Sequence, residues 1–76
     1  MTEEEIRAIV KVSGEENRLY VYSAFPAQPP SGNKPVWYAS LYLQGVEVFA
    51  HGYQKQEAID AVWEKYVNRA GDRSAG

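Results

Sequence analysis

Apolar and polar residues alternate along three short stretches of the chain. This two-residue period is typical of β-strands with one buried face, and it predicts strands over residues 18–25, 36–43 and 46–51. The Gln44-Gly45 pair between the second and third stretches predicts a tight hairpin turn. Residues 26–35 hold all four prolines of the chain. Because proline cannot donate to a strand ladder, this segment is expected to form a loop.

Residues 53–69 carry a helical period instead. Apolar side chains recur there at i, i+3, i+4, i+7 and i+8, namely at Ile59, Val62, Trp63, Tyr66 and Val67. Gly71 is expected to end this helix, as glycine commonly does just beyond a helix C-terminus. Residues 72–76 are then expected to form a disordered tail.

The N-terminal segment, residues 2–14, fits two interpretations. As a helix, it has Thr2 as N-cap and Glu5 three residues later, the pattern of a capping box, and Gly14 follows its end. As a strand, it has Ile6 and Val12 at the ends of an alternating apolar series. The helix is favoured because the capping signals are independent of one another and agree.

Together these elements predict one α+β domain spanning residues 1–71. We expect a three-stranded antiparallel sheet with the C-terminal helix on one face and a short N-terminal helix, in the order αβββα. The alternative is ββββα, with a fourth strand at the N-terminus. A chain of 76 residues is long enough for one domain and one layer of core.

Composition narrows the functional classes. The chain has no cysteine, no apolar run approaching the ~20 residues of a membrane span, and no N-terminal export pattern. We therefore expect a cytoplasmic protein with no membrane partner, because disulfide-free small domains suit a reducing compartment. The net charge of −2 lacks the basic excess of non-specific nucleic-acid binders.

The predicted strands have two unlike faces. One face is apolar and suits the helix stripe; it comprises Leu19, Val21, Trp37, Ala39, Leu41, Leu43, Val46, Val48 and Ala50. The other is expected to face outward and comprises Tyr20, Tyr22, Tyr38, Ser40, Tyr42, Glu47, Phe49 and His51. Tyrosine combines a large contact area with a polar tip at low entropic cost, which suits binding surfaces. The alternatives are tyrosines that only suit exposed strands, or a homodimer that covers this face.

Residues that carry catalytic chemistry are sparse. His51 is the only histidine and has no nucleophile or carboxylate at a recognisable spacing, so we expect neither an enzyme nor a metal or cofactor site. Glu57, Asp60 and Glu64 share the solvent side of the C-terminal helix. They fit a solvated helix face, or an electrostatic flank that docks on a basic surface.

The order of elements and the stretch from Trp37 to Tyr66 resemble the double-stranded-RNA-binding domain. The matching features are an aromatic residue and alternating apolar positions before a turn glycine, then a strand, a glycine and a helix with small residues; here these are Trp37, Ala39, Leu41, Leu43, Gly45, Val46–Ala50, Gly52, Lys55, Ala58 and Ala61. The glycine followed by Glu57-Ala58-Ile59 is also similar to the partial version of this fold in HicB-type antitoxins, which recognises protein.

This resemblance implies the αβββα fold and contact with duplex RNA phosphates. The residues available for that contact are Arg7, Lys11, Lys34 and Lys55. The family's lysine cluster at the helix start is reduced here to Lys55 alone, between Gln54 and Gln56. The family's Gly-Pro-x-His loop is not reproduced in residues 31–34.

The sequence therefore favours a non-enzymatic protein-binding module, an inhibitor or adaptor that contacts a larger protein or nucleoprotein complex. Small phage proteins that block bacterial defence complexes, the anti-CRISPR type, share its size, acidity and aromatic surface. The expected contacts are Tyr20, Tyr22, Tyr38, Tyr42 and Phe49, flanked by Glu57, Asp60 and Glu64. Binding to double-stranded RNA is the alternative.

Overall fold

A computed structural model describes residues 1–25 and 35–75, with side chains up to Gly71. The elements in chain order are α1 (Glu3–Ser13), β1 (Arg18–Ala24), β2 (Val36–Leu43), β3 (Val46–Gly52) and α2 (Lys55–Ala75). The strands form one antiparallel sheet in the order β1-β2-β3. The predicted α+β class and αβββα order are confirmed. Apart from Pro35, the predicted proline loop lies outside the described residues.

The N-terminal segment is helical, so its interpretation as a fourth strand is wrong. Thr2 and Glu5 form the complete capping box: the Thr2 side chain accepts from the Glu5 amide, and the Glu5 carboxylate accepts from the Thr2 amide. Two amides at the helix start are thereby satisfied locally. Ile6 is fully buried on the face of α1 that meets β1 and α2. Gly14 follows the helix with a φ of 133°, which favours glycine.

The hairpin between β2 and β3 is fixed by its two turn residues. Gln44 and Gly45 both have positive φ, 51° and 81°. Two consecutive positive φ values match the twist of a two-residue hairpin and set the strand register. Leu43 consequently pairs with Val46, and Ala39 with Ala50.

The core is a single layer between the inner face of the sheet and the two helices. The predicted inner residues of the strands are buried, except Val21 and Trp37, which are partly buried at its margin. Ile59 and Val62 of α2 are essentially fully buried against this face. Val67, predicted in the same helix stripe, is 47% exposed. The buried stripe therefore ends near Tyr66.

Gly52 lets β3 turn closely into α2. A Cβ atom at this position would lie 2.6 Å from the Glu57 Cβ and 2.9 Å from the Ala58 amide nitrogen. The helix begins at Lys55, with the Gln54 carbonyl accepting from the Ala58 amide. The predicted start at Tyr53 is therefore two residues early. Any larger side chain here would require the first turn of α2 to shift away from β3.

The C-terminal helix also runs further than predicted. It continues through Gly71 to Ala75, so Gly71 as the helix stop is wrong and residues 72–75 are part of α2. Glycine ends a helix when it takes a positive φ, and Gly71 is not among the glycines that do. Its cost inside a helix, about 1 kcal/mol relative to alanine, does not by itself stop propagation.

Candidate functional site

The outer face of the sheet presents three rows of side chains, each crossing all three strands. The strand register pairs Tyr22 with Tyr38 and His51, Tyr20 with Ser40 and Phe49, and Arg18 with Tyr42 and Glu47. We call Tyr20, Tyr22, Tyr38, Ser40, Tyr42 and Phe49 the tyrosine surface. The core helices pack on the opposite side of the sheet. Every aromatic residue that the sequence assigned to the outer face is found there.

The first row is an aromatic stack. The Tyr22 and Tyr38 rings lie 5.4 Å apart between centroids with an interplanar angle of 23°, and His51 tilts toward Tyr38 at 6.5 Å. Offset aromatic pairs at such distances add about 0.5–1.5 kcal/mol beyond their burial. The contact therefore holds Tyr22 in place even though 54% of it is exposed.

The second row crosses the middle of the surface. Tyr20 on β1 and Phe49 on β3 are 57% and 60% exposed, and Ser40 lies between them on β2. Strands two apart in a sheet are separated by about 9.6 Å. Ser40 is thus a small polar side chain between two large, exposed aromatic side chains in the middle of the tyrosine surface.

The third row carries the charges of this face. The Arg18 guanidinium lies 5.5 Å from the centre of the Tyr42 ring. Glu47 is the cross-strand partner of Tyr42 on its other side. A cation and a carboxylate thus flank Tyr42. Their charges cancel, so this row adds no net charge to the tyrosine surface.

The predicted acidic flank of Glu57, Asp60 and Glu64 does not lie beside the tyrosine surface. Ile59 and Val62 point from α2 into the core, whereas Asp60 and Glu64 are exposed one turn apart on the opposite side of the same helix. Glu57 is also exposed, one turn before. Because α2 covers the inner face of the sheet, these carboxylates point away from the tyrosine surface. One flat interface cannot include both sets, so the predicted combination of anchors and flank is not brought together.

Two of the predicted phosphate-binding residues meet at one carboxylate. The Glu3 side chain binds the Arg7 guanidinium at 2.8 Å and the Lys55 ammonium at 2.7 Å, which joins α1 to the start of α2. Arg7 also donates to the Leu19 carbonyl at 3.1 Å. Lys11 is exposed further along α1, and Lys34 lies outside the described residues. Glu3 thus offsets much of the positive charge that a phosphate would meet.

The charges around Glu3 change its acidity. Hydrogen bonds from Lys55 and Arg7 lower the pKa of the Glu3 carboxyl below its ordinary value of 4.5. Hydrogen bonds from Thr2 in the capping box likewise lower the pKa of Glu5. Both effects arise because donors stabilise the ionised carboxylate. Both groups are therefore ionised at neutral pH.

A second cationic cluster was not singled out in the sequence. Lys65 and Arg69, on one side of α2, donate to the Phe49 and Glu47 carbonyls of β3 at 2.9 and 3.5 Å. Asn68 joins them in lining an open groove of about 710 Å³ along β3. Their four-residue spacing was visible in the sequence, but nothing local indicated that they reach a strand edge.

Two exposed aromatic residues were also missed, Phe25 and Tyr53, which are 68% and 57% exposed. Phe25 follows β1, and Tyr53 lies in the connection between β3 and α2. Tyr53 was counted as helical in the sequence. The sequence did contain a signal that Tyr53 lies outside the helix, because Tyr53 is well separated from the apolar stripe that begins at Ile59.

Within the described part of the chain, no three acidic, histidine or cysteine side chains converge as metal ligands. The His51 ring lies against Tyr38, in the stack described above. Over the same residues, no helix is both long and apolar enough to cross a membrane.

No protein-family model matches this chain, and no curated protein or solved structure is significantly similar to it. The order of helix, three antiparallel strands and helix remains consistent with the resemblance seen in the sequence. The structure shows the αβββα architecture and the tyrosine surface on the outer face of its sheet.

Proposed function

We propose that this protein is a non-enzymatic binding module whose tyrosine surface docks on another protein. The observation that carries this proposal is the exposure of Tyr20, Tyr22 and Phe49, each more than half accessible, on the sheet face opposite the core helices. Large apolar side chains grouped on one face are typical of interaction sites.

The size of the surface supports a protein partner. A buried aromatic side chain contributes ~150–250 Å², so Tyr20, Tyr22 and Phe49 at just over half exposure, together with the partly exposed Tyr38 and Tyr42, offer a few hundred Å². A standard interface buries ~800 Å² on each side. The tyrosine surface thus supplies the apolar centre of such an interface, with neighbouring polar residues as its rim.

The geometry also favours tight contact. The stack of Tyr22 on Tyr38 and the position of Arg18 over Tyr42 restrict these rings before any partner arrives. Side chains that are already ordered lose less entropy on binding. The chemistry that complements this face is a nearly neutral patch with apolar side chains and acceptors for tyrosine hydroxyls.

Within this proposal, the protein acts as an inhibitor or adaptor on a larger protein or nucleoprotein complex, in the manner of phage proteins directed against bacterial defence complexes. Support comes from its small size and its rigid aromatic face. Glu57, Asp60 and Glu64 then form a separate acidic surface, because they lie on the far side of α2.

The test is partner capture with a surface variant. Tyr22→Ala combined with Tyr42→Ala should lose the partner retained by the wild-type chain from its native host, with at least a tenfold rise in Kd for the purified pair. Val12→Ala combined with Val67→Ala removes exposed apolar groups from the helices and should bind normally. Undiminished binding by a folded tyrosine variant would refute the proposal.

Binding to double-stranded RNA is the second candidate. It is favoured by one observation: the fold brings Arg7 of α1 and Lys55 of α2 close together, with the Glu3 carboxylate between them offsetting their charge. Glu3→Gln removes that carboxylate and should raise affinity for duplex RNA in a low-salt mobility assay, with affinity falling steeply as salt increases. No shift for either protein at high micromolar concentration would exclude this candidate.

A further inference from the structure

We propose that the edge of β3 away from β2, which pairs with no strand among the described residues, binds an extended acidic segment of a protein as an added fourth strand. This inference rests on the proposed function only in taking the occupant to be protein. It concerns a different surface from the tyrosine surface, which it meets at Phe49. Since β3 ends the sheet order, its alternate backbone groups point away from β2 and can pair with another chain.

The α2 side chains identify which backbone groups face outward. Lys65 Nζ donates to the Phe49 carbonyl at 2.9 Å, and Arg69 reaches the Glu47 carbonyl at 3.5 Å. These carbonyls belong to residues two apart, the spacing at which an edge strand presents its outward groups. Both contacts are solvent-exposed and use long side chains, so they exchange readily.

An incoming acidic strand replaces both contacts with stronger ones. Its backbone N–H groups donate to the Phe49 and Glu47 carbonyls, as in any antiparallel or parallel ladder. Its carboxylates accept from Lys65 and Arg69, and a carboxylate is a stronger acceptor for a cation than a neutral carbonyl. In this exchange the Phe49 and Glu47 carbonyls and the Lys65 and Arg69 side chains each keep a hydrogen-bond partner.

The two sides of the edge set the pattern of the occupant. Side chains of an added strand alternate between the sheet faces. Those on the inner side meet Lys65, Asn68 and Arg69, and those on the outer side lie beside Phe49 and Glu47. The groove therefore fits carboxylates at alternate positions with apolar side chains between them.

Charge argues against a second copy of this chain as the occupant. Pairing two β3 edges about a twofold axis brings Lys65 and Arg69 of both copies to the same junction. Lysine at a sheet edge commonly prevents such self-pairing. A segment of opposite charge is accepted where an identical edge is repelled.

The test uses a synthetic peptide of about eight residues, a usual strand length, in which Glu and Val alternate and both ends are blocked. Fluorescence anisotropy should show saturable binding that weakens with salt, and amide shifts should centre on Glu47 and Phe49. A peptide with Lys for Glu, and one with the Glu and Val residues in two separate blocks, should each bind at least tenfold more weakly.

Lys65→Glu and Arg69→Glu should each raise the Kd for the alternating peptide about tenfold or more. Lys11→Glu makes the same charge change on α1 and should leave the Kd within about twofold. The Tyr22→Ala, Tyr42→Ala variant should also keep its peptide affinity. Partner binding by that variant therefore tests the tyrosine surface, whereas peptide binding tests the β3 edge.

Three outcomes would overturn the inference. Equal affinity for the block peptide would reduce the site to general charge attraction. Equally tight binding of a single-stranded DNA oligonucleotide, with the same sensitivity to Lys65→Glu, would make the edge an anionic-polymer site. Dimerisation of the wild type that Lys65→Glu changes would assign the edge to a second copy.

Discussion

The side-chain oxygen of Asn17 accepts a hydrogen bond at 2.9 Å from the backbone amide of Gln44, 27 residues further along the chain. This bond ties the connection between α1 and β1 to the β2–β3 turn. Asn17 is 7% exposed, so the Gln44 amide is satisfied by a buried side chain. Within the described residues, the Asn17 side-chain nitrogen has no hydrogen-bond partner.

Asn17→Ala is expected to lower the free energy of unfolding by about 2 kcal/mol, because it leaves the Gln44 amide without its acceptor. Urea denaturation followed by circular dichroism measures this loss. Glu16→Ala, an exposed change one residue earlier, is the control and should stay within about 0.5 kcal/mol of wild type. Equal stability of the two variants would contradict a structural role for this bond.

Gly52→Ala is expected to destabilise the protein by about 1–3 kcal/mol, because the added methyl group meets Glu57 and the Ala58 backbone. Gly71→Ala provides a matched control in α2. A Cβ there has no atom within 4 Å, and alanine favours the helix, so this variant should gain about 0.5–1 kcal/mol. In thermal unfolding, Tm should fall for Gly52→Ala and rise for Gly71→Ala. A rise in Tm for both variants would contradict the close approach at Gly52.

The stabilising effect of Glu3 is expected to depend on pH. Its pKa is lower in the folded protein than in the unfolded chain, so its contribution is complete above the unfolded pKa, near 4.5, and is lost as the pH falls through the folded pKa. Glu3→Gln should therefore cost stability at neutral pH, by less than about 1 kcal/mol at this surface site, and little at low pH.

Chemical denaturation at several pH values measures this difference. Glu4→Gln is the control, because it removes a charge from the same helix turn without touching Lys55 or Arg7. Its stability difference should be smaller and should change less between neutral and acidic pH. A Glu3→Gln difference that persists unchanged at low pH would rule out the ionic contribution.

Ser40→Arg is expected to block partner binding without unfolding the protein. The new side chain places a large, charged group between Tyr20 and Phe49 in the middle of the tyrosine surface, so Kd should rise at least tenfold while stability stays within about 0.5 kcal/mol. Ser23→Arg makes the same change at an exposed position of β1 whose side chain belongs to the other face. Loss of binding by both variants would mean that the tyrosine surface is not specifically involved.

The oligomeric state tests the alternative of a homodimer through the same face. A tyrosine surface reserved for another protein predicts that the chain stays monomeric at micromolar concentration in sedimentation experiments. A dimer that the Tyr22→Ala, Tyr42→Ala variant abolishes would instead assign this face to self-association.

Local chemistry made several features readable from the sequence. The capping box of Thr2 and Glu5, the positive-φ turn at Gln44-Gly45 and the strand alternation each depend on residues within a few positions. They predicted the element order, the tight turn between β2 and β3 and the outward tyrosines, because secondary structure and face assignment follow from local geometry and a fixed period.

Contacts between distant elements were decided by the tertiary structure. The sequence alone did not indicate that Asn17 reaches Gln44, that Glu3 joins Arg7 to Lys55, or that Lys65 caps a β3 carbonyl. It also grouped the tyrosines with acidic residues that α2 directs to the opposite side. Such relationships depend on how the helices cross the sheet, a geometry set by the summed packing of the core rather than by any local pattern.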